Sequence, residues 1–447
     1  MSTEANKLQP AFNPGKGEGQ AVGLAILGYG TVGSEVLRLL NKHSDSLAQR
    51  AGGPIQIKGV AVSDLSKPRA GVDPELLTDD AYSLINREDV DIVVELIGGI
   101  DYPRELVLAA LKAGKSVVTA NKALVAAHAD ELAAAADAAK VDLYFEAAVA
   151  AAIPVLGMLR RSLAGDQVQR ISGIVNGTTN FILDAMDSTG ATYEEAFAEA
   201  SRLGYVEADP SADVEGYDAA SKAAILASLA FHTRVKFDDV YCEGISKITA
   251  DDIKAAKAAG QAIKLLATCE LITNDSGESE ISARVHPTLV NRSHPLASVS
   301  KSYNAVFVES EAAGELMFYG NGAGGAPTAS AVIGDIVGAT RNKVLGGRAP
   351  GDNTYANLAI ADFGNVRTRY HIDMKVEDRT GVLAEIATIC VENNISLRTV
   401  RQEQYPTGTR LILVTHTARE ADLARTVDII AASSAVLGVE SVIRLAE

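Results

Sequence analysis

Two ionisable residues stand apart from their surroundings. Asp218 and Lys222 lie four positions apart, and the segment 217–231 that holds them carries no other charge. A helix places residues at this spacing on one face. A surface ion pair is the plain alternative, but a helix this apolar is expected to be buried nearly all round, which turns its two charges into an enclosed site. A lysine held there can trade a proton with an alcohol or carbonyl if burial or a nearby cation loosens its proton. Just upstream, Glu207, Asp209, Asp213 and Glu215 supply carboxylates suited to a substrate ammonium. Lys122 follows the apolar run 116–120, and the carboxyl end of a parallel strand borders a ligand crevice. Taken alone, Lys122 reads more simply as a strand-end surface charge.

A second constellation is Gly28-Tyr29-Gly30-Thr31-Val32-Gly33, placed after an apolar strand and opening a helix. In that context GxGxxG binds a dinucleotide: the first glycine makes the turn, the second admits the pyrophosphate, and the third lets helix and strand pack. Helix-start N–H groups then face the phosphates. Asp64, past the second strand, is placed to hold a ribose 2′-hydroxyl, whereas Lys67 and Arg69 are placed to hold a 2′-phosphate. NADP and NAD both stay open. Oxidising an alcohol needs a hydride acceptor and a base, which a nicotinamide and a lysine would together provide.

These groups need elements to position them. Apolar strands at 22–27, 55–62, 91–97 and 116–120 alternate with helices, one bracketed by Pro103 and Gly114 and one expected over 129–140. Such alternation means a doubly wound parallel sheet, so we assign 21–150 to a dinucleotide-binding domain of α/β class. Residues 1–20 read as a flexible tail. An α+β substrate and dimerisation domain follows over 151–324, with a capping box at Thr192 and Glu195, a helix over 218–231 and strands within 281–318. The helix 325–343 is expected to rejoin the first domain. A linker, 345–366, precedes a βαββαβ pattern over 367–447 that can fold alone.

The 447 residues suffice for two to three domains. With 47% hydrophobic residues and no tryptophan, the core is built from small aliphatic side chains. A net charge of −16 argues against a general nucleic-acid or anionic-membrane partner. Cys242, Cys269 and Cys390 form no CxxC pair, which suits a reducing compartment. No signal core or membrane-length apolar run is present, so a cytoplasmic protein is expected.

The stretch Ala200 to Lys222, A-x3-G-Y-V-E-A-D-P-x2-D-V-x-G-x-D-x3-K, resembles the signature of homoserine dehydrogenases. GYGTVG, TANKALVA, NGTTN and GNGAGGAPTAS support the resemblance in order and spacing over about 21–344, and the chain is similar to actinobacterial members. Val206 departs mildly, standing where the family usually has a smaller residue. The resemblance implies reversible NAD(P)-dependent reduction of L-aspartate 4-semialdehyde to L-homoserine, in threonine and methionine biosynthesis. It implies that Lys222 gives and takes the proton, that Asp218 orients it, and that Glu207 receives the substrate ammonium. Tyr205, Asp213, Lys122, Gly177 and Thr178 complete the pocket. Cofactor contacts fall, beside the glycine turn, to Tyr29, Thr31, Val32, Ile97, Gly98, Lys122, Gly204 and Gly324. It also implies a monovalent cation, taken as sodium, on Glu146 and the carbonyls of Val149, Ala151 and Ile153.

The segment VEDRTGVLAEIA resembles an ACT domain, the sensing module of amino-acid pathways. Asp378 and Gly381 would form a tight turn, with Thr380 where many members have proline. The N–H groups of Val382 and Leu383 would then face a ligand carboxylate. Threonine is the expected ligand, and since such modules pair, a homo-oligomer, dimer or tetramer, is implied. A plain α+β dimerisation unit remains the alternative there. Three rival readings of the whole chain fare worse. A 2-hydroxy-acid dehydrogenase needs an Arg-Glu-His set that the seven histidines do not suggest. A semialdehyde dehydrogenase working through a thioester needs a nucleophilic cysteine, whereas Cys242 and Cys269 read as helical and Cys390 lies in the C-terminal module. A sensor without catalysis has no use for Lys222 and Asp218.

Overall fold

The computed structural model describes residues 15–206, 209–351, 354–405 and 408–446. The chain forms two compact units: one holds the chain up to Ser162 and the segment from Ala323, the other Leu163–Gly322 and the chain from Thr354. In the first unit, β1 (Val22–Leu27), β2 (Ile55–Ala61), β3 (Leu77–Thr78), β4 (Ile92–Glu95), β5 (Ser116–Thr119) and β6 (Leu143–Tyr144) form one sheet in the order β3-β2-β1-β4-β5-β6. Every pairing in it is parallel. β1 is apolar throughout because both faces are covered. Leu24 and Ile26 enter one core, and Ala25 and Leu27 enter the other, as the two-residue period of a strand requires.

Helices α1 (Thr31–Lys42), α2 (Ser44–Ala51), α3 (Ala81–Ile85), α4 (Asp101–Lys112) and α5 (Lys122–Ala139) cover this sheet. The helix expected from 129 starts earlier, because Asn121 caps it by accepting from Leu124 N, and it bends at His128. Residues 15–20, expected in a flexible tail, are pinned. Lys16 and Gly17 donate backbone N–H groups to the carbonyls of Lys343 and Val344, and the Lys16 ammonium meets Asp91 at 2.5 Å. The rest of the expected tail, 1–14, lies outside the described residues.

A single turn, α6 (Val155–Gly157), leads to the second unit. There β7 (Val168–Ile174), α7 (Gly177–Thr189), α8 (Tyr193–Arg202), α9 (Ser211–Val214), α10 (Tyr217–Ala230), β8 (Tyr241–Cys242), α11 (Ala250–Ala258), β9 (Gln261–Thr273), β10 (Ser279–Asn291), β11 (Tyr303–Ser310) and β12 (Gly314–Asn321) follow in sequence. The capping box at Thr192 and Glu195 opens α8. α10 packs on β9 and β10. Cys242 and Cys269 therefore lie on strands β8 and β9, not on helices. The run through Cys269 misleads because eight consecutive residues of β9 are buried, which removes the alternation that marks a strand.

The chain returns to the first unit as α12 (Gly325–Leu345), whose Ala329, Val332 and Ile336 join the core beneath α1. It then adds β13 (Ala359–Ile360), β14 (Arg367–Thr368), β15 (Tyr370–Val376), α13 (Val382–Glu392), β16 (Leu397–Tyr405), β17 (Gly408–Thr415), β18 (Ala418–Arg419), α14 (Glu420–Ala431) and β19 (Val436–Leu445) to the second unit. The βαββαβ order is present, with strands β19-β15-β17-β16 antiparallel. This module is joined edge to edge with the sheet of β7 and β9–β12: β19 pairs with β10 at Thr288↔Arg444 and Leu289↔Leu445. Among the described residues no helix is long and apolar enough to cross a membrane.

Candidate active site

In the first unit the glycine turn has a backbone that only glycine fits at two of its positions. Gly28 holds φ +104°, and a Cβ there would stand 2.6 Å from the Leu96 carbonyl oxygen. A Cβ on Gly33 would stand 2.3 Å from the Gly28 oxygen, so helix and turn could not close. Beside Gly30 the space is open, leaving backbone accessible to a phosphate ahead of Thr31 and Val32. Gly324, at φ +110°, precedes α12, and Gly325 comes within van der Waals reach of Thr31, so the two helix starts converge.

The flanking loops are held by buried polar groups. The Glu95 carboxylate accepts from the backbone N–H groups of Ile97 (2.8 Å) and Gly98 (3.3 Å), and from Thr119 Oγ1 (2.6 Å). Asn121 Nδ2 donates to Gly99 O at 2.7 Å while capping the helix that Lys122 begins. Neither Glu95 nor Asn121 was singled out from sequence. A carboxylate ending a buried strand was the available signal. In the loop after β2, Ser66 hydrogen bonds hold the Asp64 carboxyl below its usual range, helped by Lys67 and Arg69. Arg69 donates to the carbonyls of Asp64 and Lys67, and Tyr29 Oη donates to Ala70 O.

In the second unit, Lys222 and Asp218 are 7% and 6% exposed, so the pair is enclosed. Lys222 Nζ donates to Asp218 Oδ2 at 2.7 Å and to Val175 O at 2.6 Å. Asn176 Nδ2 donates to the same Asp218 oxygen at 2.9 Å and to Asp213 Oδ1 at 2.7 Å. The end of β7 thus meets the first turn of α10. Gly177 opens α7, where a Cβ would stand 2.7 Å from Ser302 O. Thr178 Oγ1 donates to Tyr205 O, and the Tyr205 ring packs on Phe181. Gly204 turns the chain with φ +78°. Lys222, Asp218, Asp213, Tyr205, Gly177, Thr178 and Gly204 thus fall in the second unit. Lys122 falls in the first with the glycine turn, Lys67, Arg69, Ile97, Gly98 and Gly324. Glu207 lies outside the described residues.

Thiol chemistry finds no support. Burial pushes Cys242 up to about 11 and Cys269 up to about 12, far from the thiolate a nucleophile needs.

Two further candidates keep local geometry of their own. Glu146 accepts from Leu156 N (2.8 Å) and Gly157 N (2.6 Å), and burial pushes its carboxyl up. Between Val149 and Ile153, Ala150 and Ala151 hold left-handed φ of 54° and 42°. A carboxylate and backbone carbonyls are oxygen donors of the kind a hard cation takes, although the Ile153 carbonyl already accepts from Val155 N at 2.8 Å. In the C-terminal module Gly381, at φ +93°, starts α13, with Val382 buried and Leu383 exposed. Asp378 accepts from Gln404 Nε2 at 3.2 Å.

A parallel sheet of this order with that glycine turn, joined in one chain to a buried lysine–aspartate pair, defines an NAD(P)-dependent oxidoreductase. Residues 28–146 match the family described as homoserine dehydrogenase, NAD binding domain, residues 154–337 that described as homoserine dehydrogenase, and residues 370–433 the ACT domain. The homoserine dehydrogenase of Corynebacterium glutamicum is 72% identical over 98% of both chains. The structure of a homoserine dehydrogenase from Thiobacillus denitrificans superposes with a TM-score of 0.91 at 39% identity, over 96% of this chain and 99% of that one. A hyperthermophilic archaeal homoserine dehydrogenase in complex with NADPH covers 72% of this chain and 98% of its own, with a TM-score of 0.60 and 29% identity. The chain belongs to the homoserine dehydrogenase family. It catalyses reversible, NAD(P)-dependent interconversion of L-aspartate 4-semialdehyde and L-homoserine, and it carries an ACT domain.

Proposed function

We propose that Lys222 is the group that exchanges the proton in this reaction. The observation that carries the reading is its ammonium, enclosed on an otherwise uncharged helix and fixed by Asp218 and the Val175 carbonyl. The bound nicotinamide supplies the hydride for reduction and accepts it in oxidation. Lys222 gives its proton to the aldehyde oxygen as that oxygen becomes a hydroxyl, and in reverse the neutral amine removes it. Asp218 aims the amine. Asp213 stands beside it, and Glu207, two residues past Tyr205, receives the substrate ammonium. Tyr205, Gly177 and Thr178 shape the pocket, and Lys122 serves the nicotinamide end.

Thr31 and Val32 hold the pyrophosphate with Gly28, Gly30 and Gly33, while Tyr29, Ile97, Gly98, Gly204 and Gly324 frame the cofactor. NADP is the preferred cofactor. Lys67 and Arg69 suit a 2′-phosphate, and the archaeal relative was solved with NADPH. Glu146 and the carbonyls of Val149, Ala151 and Ile153 would hold sodium, which would brace the turn they share. Threonine binds the ACT domain near Asp378, Gly381, Val382 and Leu383 and inhibits, in a homo-oligomer of two or four chains. Three free cysteines suit a reducing compartment, the cytoplasm.

Nicotinamide absorbance, followed with L-homoserine and with L-aspartate 4-semialdehyde using each cofactor, with and without threonine, tests these assignments together. Lys222→Ala is expected to abolish turnover while nucleotide still binds. Normal turnover in that variant removes Lys222 from its role.

A further inference from the structure

We propose that Asn176 is a positioning residue for the proton exchange, an inference that rests on the reading of Lys222 given above. Its side chain has two faces. Oδ1 accepts from Thr179 N at 2.9 Å and from Thr179 Oγ1 at 3.0 Å, capping α7. Nδ2 donates to Asp213 and to Asp218. The amide cannot be reversed, because its NH2 would then confront the N–H it caps and its oxygen would confront two carboxylates.

Asp218 Oδ2 is also the atom that receives Lys222 Nζ, and the carbonyl of the neighbouring residue, Val175, receives the same ammonium. Two consecutive residues at the end of β7 therefore grip both members of the pair. Val175 holds the amine through its carbonyl, and Asn176 holds the acid through its amide. The amide also separates two carboxylates, Asp213 and Asp218, that would otherwise repel each other in an enclosed space. With two donors on one oxygen, the Asp218 carboxylate has one orientation, and the direction of the amine follows from it.

Two substitutions separate capping from positioning. Asn176→Ser keeps an oxygen that can cap α7 but has no donor that reaches both carboxylates. Asn176→Asp keeps the cap and the shape, and replaces the bridging donor with a third negative charge. Homoserine oxidation measured across pH, alongside thermal denaturation, reads the difference. In Asn176→Ser, kcat is expected to fall by about tenfold to a hundredfold, with the denaturation midpoint and the nucleotide KM unchanged. In Asn176→Asp, the rising limb of kcat against pH is expected to move up by about one pH unit, since added negative charge holds the proton on the amine.

Wild-type kcat and an unmoved pH profile in both variants overturn the inference. So does a loss of rate that only tracks the fraction of enzyme folded. Lys222→Ala, run beside them, separates the two ideas. If it turns over normally, the reading of Lys222 falls. If it is dead while Asn176→Ser is normal, Asn176 alone is misassigned.

Discussion

Lys222 and Arg444 are both buried cations of the second unit in carboxylate company, and their chemistry differs. Lys222 meets the Asp218 carboxylate and the Val175 carbonyl through an amine, a group that can give up its proton. Arg444, 8% exposed at the end of β19, donates from Nε and Nη2 to Glu420 Oε1, from Nη1 to Glu243 Oε2 at 2.6 Å, and from Nη2 to Tyr241 Oη. The rings of Tyr241, Phe363 and Tyr370 lie against its guanidinium. Burial alone would loosen its proton, but the hydrogen bond and charge of Glu420 more than offset this and raise it above its ordinary value. A guanidinium so held never titrates. Equal burial therefore does not mean equal chemistry: an ammonium can exchange its proton, whereas a guanidinium keeps it.

Exchanging the two chemistries breaks the comparison most sharply. Lys222→Arg keeps the charge and removes the exchangeable proton, so kcat should drop by about a thousandfold, within the range of general acid–base catalysis. Circular dichroism of that variant should match the parent. Retained turnover would mean that the charge alone suffices and that proton exchange lies elsewhere.

Arg444→Met should do the reverse. Glu420 is left buried beside Tyr370 without its cation, which costs about 3–5 kcal/mol in comparable cases. The midpoint in urea should fall, while kcat of the protein still folded at low temperature stays near the parent value. Because Arg444 joins α14 of the ACT domain to β8 of the catalytic region, the lost cooperativity should be visible as a separated first transition. A parent-like midpoint would show that the cluster contributes nothing to holding those regions together.

Arg444→Lys sharpens the same point with a smaller effect. One ammonium cannot reach Glu420, Glu243 and Tyr241 together as the fork does, so about 1–3 kcal/mol should be lost. If the lysine variant matches the parent, charge rather than donor geometry secures the site.

The two centres also differ in how far the sequence discloses them. Lys222 and Asp218 share one helical turn, and the absence of other charge on α10 points at them. The glycine turn is as local, and its strand and helix bracket it. Arg444 draws its partners from 241–243, 363, 370 and 420, and no spacing rule links them. Asn176 entered the sequence reading only within NGTTN, without a role, for the same reason, since its acceptors stand 37 and 42 residues away. The union of the ACT sheet with β10 depends on two paired residues at the end of β19, which no periodicity reveals. Local chemistry is legible where one element carries it, and becomes illegible where tertiary contact assembles it.

The smallest effect reads the field of Arg444 directly. His286 lies buried on β10, with Nδ1 near Thr288 Oγ1 at 3.0 Å. Burial, then the charges of Arg444 and Arg284, push its imidazole well below its ordinary 6.5. As pH falls below 6.5 the unfolded chain takes up a proton that the folded chain refuses, so stability must decline on the acid side, by about 1.4 kcal/mol per pH unit for one such group. His371, also pushed down by burial, adds to the slope. His286→Asn should therefore flatten unfolding free energy against pH between about 5 and 6.5 by one proton's worth. In an Arg444→Lys background, where positive charge is kept, the slope should persist. In Arg444→Met the slope should end at a higher pH, because one of the two charges repelling the imidazolium is gone and the folded chain takes up its proton sooner. A parent-like slope in His286→Asn would remove this histidine from the acid decline, and a parent-like acid limit of the slope in Arg444→Met would mean that it does not sense the arginine.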